Sequence, residues 1–209
     1  MTSVSISNYL SGTDPTLGRV IVEIPQFDGD FDERNRIDGF QTLARSIVSQ
    51  QLSTHAAGTI RRRIEELAGT DELTPDAVRS MSEQAMRDAG LSRAKIAYLK
   101  GIAEEVVTGR LDLGGLDELS DADALSRLQA IRGIGLWTAQ MYVVFKLQRL
   151  DIFPLGDAGI RRAMTLLYSP ELPVDDEWFV TVSNRWKPHR STACRYLWRT
   201  LDSNLLPLE

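Results

Sequence analysis

Two glycines with a single residue between them interrupt a sequence pattern that is otherwise helical. Gly133 and Gly135 flank Ile134, and apolar residues recur at helical spacing on both sides, in 121–131 and 136–145. Glycine allows the positive φ and the close approach that a short turn between helices demands, and Ile134 can plug the turn into the core. The segment therefore predicts a helical hairpin whose second helix begins near Leu136.

The same helical spacing extends over most of the chain. Leu43, Ile47, Ile60 and Ile64 follow it, whereas the alternation typical of strands is scarce. The 209 residues, 43% of them hydrophobic, suffice for one sizeable core or two small helical lobes. We therefore predict an all-α fold. The turn-rich segments 28–35 and 109–119 are candidate separators of lobes.

Local signals predict where several helices begin. Thr74 with Pro75 next suits an N-cap followed by a first-turn proline, and Ser92 precedes a long helical pattern. Asp121 opens another such pattern. The last helix is expected to begin near Arg190.

Composition narrows the classes of protein to be considered. The net charge of −5 and the pI near 5.2 argue against a wholly basic surface that coats nucleic acid. Cys194 is the single cysteine, which excludes an internal disulfide and a four-cysteine iron–sulfur cluster built from this chain alone. His55 and His189 lack companions at metal-ligand spacing, so no catalytic zinc is expected. With no signal-peptide or membrane-span pattern, we expect a soluble, cytoplasmic protein.

The predicted hairpin could bind an anion without any basic side chain. A helix that begins near Leu136 presents backbone amides and the positive end of its dipole, which together suit a phosphate oxygen. An acidic protein could grip a nucleic-acid backbone in this way. The alternative is an ordinary turn between two helices with no ligand.

A carboxylate follows the hairpin at a short distance. Asp157 stands 22 positions after Gly135 (157 minus 135) and directly before AGIRRAMTLL, a probable helix. The N-terminal dipole of that helix favours an ionised carboxylate. The alternative role for Asp157 is a simple N-cap, worth roughly 1 kcal/mol of stability.

Longer strings around these residues resemble a known family. LQAIRGIGLWTAQMYVVF (128–145) and LGDAGIRRAM (155–164) resemble the helix–hairpin–helix and aspartate loop of the DNA glycosylase superfamily that also contains endonuclease III. ARSIVSQQLSTHAA (44–57) and WKPHRSTACRYLW (186–198) are similar to its alkylpurine branch, the 3-methyladenine DNA glycosylase II enzymes. The resemblance runs from about Gly39 to Trp198, without room for the extra N-terminal β-rich domain of the longest members.

The resemblance implies a fold and a set of partners. The fold would be an all-α, two-lobed helix–hairpin–helix DNA glycosylase with its active site in the cleft between the lobes. Residues 39–149 would form the central lobe, and residues 1–38 and 150–209 the other. The partner would be double-stranded DNA that contains alkylated bases, bound by a monomer with no membrane association. The protein would be nucleoid-associated in a bacterium and nuclear in a eukaryote.

The resemblance also implies a reaction. Asp157 would be the catalytic residue, stabilising the oxocarbenium-like sugar while an alkylated, electron-poor purine such as 3-methyladenine or 7-methylguanine leaves. Relatives that also cut the strand carry a lysine where this chain has Trp137. An indole cannot form a Schiff base with the sugar, so a monofunctional glycosylase is expected. Trp137, Trp198 and Met141 would line the base pocket.

Further residues are assigned to DNA by position in the family motifs. Gln51 is the first candidate for the wedge that fills the space of an everted base, and Leu52 the second. The hairpin candidates for DNA binding are Arg132, Gly133, Ile134, Gly135 and Thr138. A structural monovalent cation at the carbonyls of Gln129, Ile131 and Ile134 is also implied, and no other cofactor. Two alternatives stay open: a glycosylase for mismatched or oxidised bases, and a non-catalytic DNA-binding relative.

Overall fold

The computed structural model describes residues 3–24, 38–52, 54–69, 72–171 and 173–202. Within these ranges the chain forms twelve α-helices, two short 3-10 helices (Gly115–Glu118 and Asn184–Trp186) and no strand. The all-α prediction is confirmed. The α-helices are α1 Ser3–Thr13, α2 Pro15–Glu23, α3 Gly39–Ser49, α4 Thr54–Ala68, α5 Pro75–Ser80, α6 Glu83–Asp88, α7 Arg93–Val107, α8 Asp121–Gln129, α9 Leu136–Phe145, α10 Ala158–Tyr168, α11 Asp176–Ser183 and α12 Arg190–Asp202.

Side chains cap the helices where the sequence predicts helix starts. Thr74 Oγ1 accepts the Ala77 N–H before α5, and Ser92 Oγ accepts the Lys95 N–H before α7. Asp121 is the first residue of α8, and Arg190 is the first of α12. These starts are set locally, because each cap satisfies an amide only three residues ahead.

The chain divides into two compact units. One, the terminal unit, comprises the described parts of residues 1–32 and 148–209; the other, the central unit, comprises those of 33–147. No helix within the described ranges has the length and apolar character that crossing a membrane requires. The segment 28–35, predicted as a separator, lies outside the described residues.

The other predicted separator is wrong. Residues 109–119 lie inside the central unit, where Leu111 and Leu116 are buried and the 3-10 helix Gly115–Glu118 occupies the turn. Two buried leucines anchor this segment to the core. Turn-rich composition marks a change of direction, and it does not distinguish a turn within a unit from a linker between units.

The core of the terminal unit is organised around one buried carboxylate. Asp14 caps α2 by accepting the Thr16 and Leu17 N–H groups, both at 3.1 Å. Its other oxygen accepts Tyr168 Oη at 2.6 Å and Trp186 Nε1 at 2.9 Å. Burial, and then the bond to Asp14, raise the pKa of Tyr168 well above its usual value. Four donors thus compensate the buried charge and fasten α2 to the rest of the unit.

Cys194 lies in the same core. It is fully buried on α12, among the residues that pack α12 against α10 and α2. Burial raises the pKa of its thiol well above the usual value, and the charge of Asp157 acts in the same direction. The thiol is therefore a packing group.

In the central unit, α3 packs against three other helices. Phe40, Leu43 and Ile47 are buried on it, and it packs against α4, α7 and α9. Ile134 adds a further buried side chain from the turn between α8 and α9.

Candidate functional site

The turn between α8 and α9 has the hairpin form that the glycines predict. Gly133 has φ of +96°, and a Cβ added there would stand 2.4 Å from Cγ of the Tyr98 ring. Ile134 is buried, and its N–H donates to Ile131 O at 3.0 Å. Gly133 is therefore required both for its backbone conformation and for the space that Tyr98 occupies.

The N-terminus of α9 is built without a side-chain cap. Gly135 is the N-cap residue, and a Cβ added there would meet nothing within 4 Å. The first hydrogen bond of the helix runs from Ala139 N to Gly135 O at 3.0 Å. The main chain from Leu136 onwards, with the helix dipole behind it, forms an anion-compatible surface that a ligand can approach closely.

The other predicted hairpin residues differ in accessibility. Trp137, in the first turn of α9, is 42% exposed, and Arg132 is also exposed. Thr138 and Met141 are buried. Thr138 Oγ1 lies 3.4 Å from Gln50 Nε2, so this side chain faces the protein and only its main chain could serve a ligand.

The loop that follows α3 carries the predicted wedge residues. Gln51 is exposed and has φ of +56°, a left-handed conformation that costs a non-glycine residue roughly 1–2 kcal/mol. Leu52, next to it, is exposed as well. Both side chains are therefore accessible.

Two residues that sequence reasoning missed hold this loop in place. Lys95 Nζ donates to Val48 O at 2.8 Å and to Gln50 O at 2.7 Å. Gln50 Nε2 donates to Gly133 O at 3.0 Å. Burial lowers the pKa of Lys95, while the carbonyls at the end of α3 provide its partners. These contacts span 45 to 83 positions of sequence, and no local pattern signals them.

Asp157 is the N-cap of α10 and also accepts a side-chain hydrogen bond. Its Oδ1 accepts the Ile160 N–H at 2.7 Å and Trp198 Nε1 at 3.0 Å, and the residue keeps 7% of its surface exposed. A Cβ at Gly159 would stand 3.1 Å from the same oxygen. The carboxylate is thus held rigidly, in surroundings where water screens its charge poorly.

Trp198, predicted in the base pocket, directs its indole nitrogen at Asp157. It lies on α12 and is half-buried. The structure therefore brings together two of the predicted site residues, a carboxylate and the indole that hydrogen-bonds to it. Its place in a base pocket stays a prediction.

Several basic residues near the motifs are paired with carboxylates. Arg61 and Arg62 on α4 contact Glu65 and Glu66, one turn later. Other pairs are Arg161 with Asp176 and Arg190 with Asp151. The basic run of α4 is in this respect a solvated helix face.

The described residues include no group of three or more His, Cys, Asp or Glu side chains placed to hold a metal ion. The predicted cation ligands are main-chain carbonyls, which are hard oxygen donors that suit an alkali cation. Ile131 O accepts the Ile134 N–H, and a carbonyl has a second lone pair. The donor set is compatible with such a cation.

Known proteins resemble this chain over nearly its whole length. The family described as "HhH-GPD superfamily base excision DNA repair protein" matches residues 44–188. DNA-3-methyladenine glycosylase 1 of Schizosaccharomyces pombe is 31% identical over 195 residues, which are 92% of this chain and 85% of that protein.

Two solved structures are similar in sequence and fold. The S. pombe 3-methyladenine DNA glycosylase in complex with abasic DNA has a TM-score of 0.82 at 31% identity, covering 95% of this chain and 97% of that one. The DNA-3-methyladenine glycosidase of Bacillus halodurans has a TM-score of 0.72 at 32% identity, covering 92% and 91%.

Proposed function

Because the chain belongs to the HhH-GPD superfamily of base excision DNA repair proteins, we propose that it is a DNA glycosylase that removes alkylated bases. It hydrolyses the N-glycosidic bond and leaves an abasic site. One observation carries the proposal: the carboxylate of Asp157 is buried and accepts hydrogen bonds from the Ile160 N–H and from Trp198 Nε1, in a segment that resembles the family's aspartate loop. Relatives named DNA-3-methyladenine glycosylases support the substrate class.

The chemistry requires a fixed negative charge more than a strong acid. Alkylation of a purine such as 3-methyladenine or 7-methylguanine leaves the base electron-poor, so it departs readily with the bonding electron pair. Positive charge then develops on the sugar, and a preorganised carboxylate in poorly screened surroundings stabilises it. Asp157 also orients the water whose oxygen bonds to C1′. Removing such a preorganised group from an active site costs about 100-fold or more in rate.

Trp137 serves as the platform for the base. Its exposed indole on the first turn of α9 offers a flat, electron-rich face, and cation–π attraction to an alkylpurine is worth about 0.5 to 2 kcal/mol. It supplies no amine, so the sugar is not captured as a Schiff base and the strand stays intact. The enzyme is therefore monofunctional.

The hairpin binds the DNA backbone through its main chain. Gly135 leaves the N-terminus of α9 open to a phosphate oxygen, and Arg132 stands exposed beside the turn. Gln51, with Leu52 next to it, fills the space that the everted base vacates. The carbonyls of Gln129, Ile131 and Ile134 would hold a monovalent cation that shapes the hairpin, and the reaction itself needs no cofactor.

Asp157→Asn tests the catalytic assignment against a matched control. Asparagine keeps an oxygen that can cap α10, so folding should change by no more than about 1 kcal/mol. The control is Asp175→Asn, the same change at the N-cap of α11, where Asp175 accepts the Trp178 N–H. Base release from methylated duplex should fall at least about 100-fold in Asp157→Asn and stay at the wild-type level in Asp175→Asn.

The alternatives predict other outcomes of the same assays. A non-catalytic DNA-binding protein would bind duplex yet release no base above background in either variant or the wild type. A glycosylase of different specificity would release only an oxidised or mismatched base from a panel of single-lesion duplexes. The first result would overturn the proposed activity, and the second would overturn the proposed substrate class.

A further inference from the structure

We propose that Gln50 is the positioning residue that couples the wedge loop to the hairpin, so that a base is everted in register with the phosphate that the hairpin holds. This inference rests on the proposed function and adds a device for eversion. The wedge loop is defined here as residues 50–52, directly after α3. Gln50 itself touches neither the scissile bond nor the base.

The side chain of Gln50 reaches the turn of the hairpin. Its Nε2 donates to Gly133 O at 3.0 Å and lies 3.4 Å from Thr138 Oγ1, in the first turn of α9. One amide thus touches the main chain on one side of Gly135 and a side chain on the other. Gln50 therefore binds the hairpin at the carbonyl of Gly133, just before the N-terminus of α9 that is proposed to bind phosphate.

The main chain of Gln50 is fixed as well. Lys95 Nζ donates to Gln50 O and Val48 O, which are carbonyls that the end of α3 would otherwise leave unsatisfied. Lys95 lies on α7, and Tyr98, three residues later on the same helix, packs under Gly133. Residues i and i+3 of a helix lie on one face. A single face of α7 therefore supports both the wedge loop and the hairpin, and Gln50 bridges the two directly.

The next residue along the chain is the wedge. Gln51 is exposed, and its left-handed backbone is unfavourable for glutamine unless its surroundings impose it. The hydrogen bonds made by the side chain and by the main-chain carbonyl of Gln50 impose this conformation on Gln51. Eversion of a base costs a few kcal/mol and needs the wedge in place while the strand is gripped. Without the hydrogen bond from Gln50 to Gly133 O, the hairpin can still bind the strand, but the position of Gln51 relative to the hairpin is no longer fixed.

The test separates strand binding from eversion. Gln50→Leu keeps part of the length of the side chain and removes the amide donor; Gln50→Met keeps its full length without charge and also removes the donor. Gln84→Leu, which alters an exposed glutamine on α6 that bonds to Asp88, is the matched control. Each protein is assayed for affinity to undamaged duplex, for the fluorescence rise of 2-aminopurine placed opposite a tetrahydrofuran abasic analogue, and for single-turnover release of 7-methylguanine.

Both Gln50 variants should bind undamaged duplex within about twofold of wild type. The rate of 2-aminopurine unstacking and the rate of base release should each fall roughly 5- to 10-fold, as expected for one lost hydrogen bond. Gln51→Ala should give the same pattern, and the Gln50→Leu/Gln51→Ala double variant should be no slower than Gln51→Ala alone. Such non-additivity is the signature of one residue acting through another. Gln84→Leu should match wild type throughout.

Several outcomes would overturn the inference alone. Rates of unstacking and base release equal to wild type in both Gln50 variants would do so. So would a double variant whose rate falls by the product of the two single-variant factors. A loss of duplex affinity equal to the loss of unstacking, with a lowered Tm, would indicate a merely structural residue and would also overturn it. If wild-type protein releases no base from any methylated duplex, the proposed function fails first, and the inference falls with it.

Discussion

At the scale of single residues, the hydrogen bond between Trp198 and Asp157 helps to hold the carboxylate that we propose as the catalytic group. The backbone N–H of Ile160 and the indole N–H of Trp198 converge on one oxygen, which fixes the orientation of the other. A carboxylate that accepts charge-assisted hydrogen bonds is held more firmly than one capped by the helix alone. If Asp157 is catalytic as proposed, Trp198 affects the reaction by orienting this carboxylate.

Trp198→Phe should therefore slow catalysis more than binding. Phenylalanine keeps an aromatic ring and removes the donor, and a hydrogen bond to a charged group contributes about 1.5–3 kcal/mol. We expect the single-turnover rate of base release to fall roughly 10- to 100-fold while the affinity for methylated duplex changes less than about threefold. Trp178→Phe, an indole elsewhere in the terminal unit, is the control. A weaker affinity with an unchanged rate would instead indicate a pocket role for Trp198.

His189 predicts how stability depends on pH. Its ring is buried edge-on against Tyr9, with 5.4 Å between centroids, and within the described residues its Nδ1 meets no hydrogen-bond partner. Burial lowers its pKa from the usual 6.5, and the charge of Asp151 opposes this in part. The unfolded chain therefore binds the proton first as the pH falls.

The contribution of His189 to stability is complete above pH 6.5 and is lost as the pH falls from there towards the folded-state pKa, at up to about 1.4 kcal/mol per pH unit. Urea unfolding of His189→Phe should show a smaller decrease in stability between pH 7 and pH 5 than wild type does. Parallel curves for His189→Phe and wild type would contradict this account.

At the scale of elements, the two glycines of the hairpin have separate roles. Gly133 is needed by the fold, because its φ is positive and Tyr98 fills the space of a Cβ. Gly135 has φ of −82° and open space around it, so the fold tolerates a side chain there. What a Cβ at Gly135 would obstruct is the approach of a ligand to the N-terminus of α9.

Alanine at each position should give opposite results. Gly133→Ala forces strain at a left-handed residue together with overpacking against a ring, and we expect a loss of about 3 kcal/mol or more in unfolding free energy. Gly135→Ala should stay within about 1 kcal/mol of wild type and yet weaken duplex binding several-fold. Denaturation curves and fluorescence anisotropy with a labelled duplex measure the two effects. Equal loss of stability in both variants would refute the division of roles.

Sequence reasoning was reliable where the determinants are local. The caps at Ser92 and Asp157 each act over three residues, so their helices could be predicted from the chain alone. The Gln50 and Lys95 bonds join residues far apart and depend on how α3, α7 and α9 pack. The bond between Asp157 and Trp198 has the same character: both residues could be named in advance, but not their contact.

At the scale of the whole molecule, a protein with a negative net charge must bind a DNA backbone that is also negative. The chain carries a net −5, and arginines near the motifs, such as Arg161 and Arg190, are paired with carboxylates. This distribution of charge agrees with the proposal that main-chain amides of the hairpin bind phosphate. Composition alone does not predict the boundary between the two units, because the turn-rich segment 109–119 lies inside one of them.

Duplex affinity should consequently depend only moderately on salt. Each neutralised phosphate contributes about 0.9 to the slope of log K against log salt concentration, and we expect a slope of magnitude below about 4. Arg132→Ala should lower that magnitude by about one, whereas Arg62→Ala, which alters a residue paired with Glu66 on α4, should leave it unchanged. A slope near 8 would indicate a broad cationic surface and contradict the main-chain mode.

The burial of Cys194 has a practical consequence. Its thiol is the single one in the chain, is sealed within the core and ionises poorly, so thiol-directed reagents find almost no native target. A cysteine introduced at the surface, for example by Gln51→Cys, would react selectively without removal of the native one. The loop tip could then carry a spectroscopic label, or a tether to a thiol-bearing oligonucleotide, at the position of the proposed wedge.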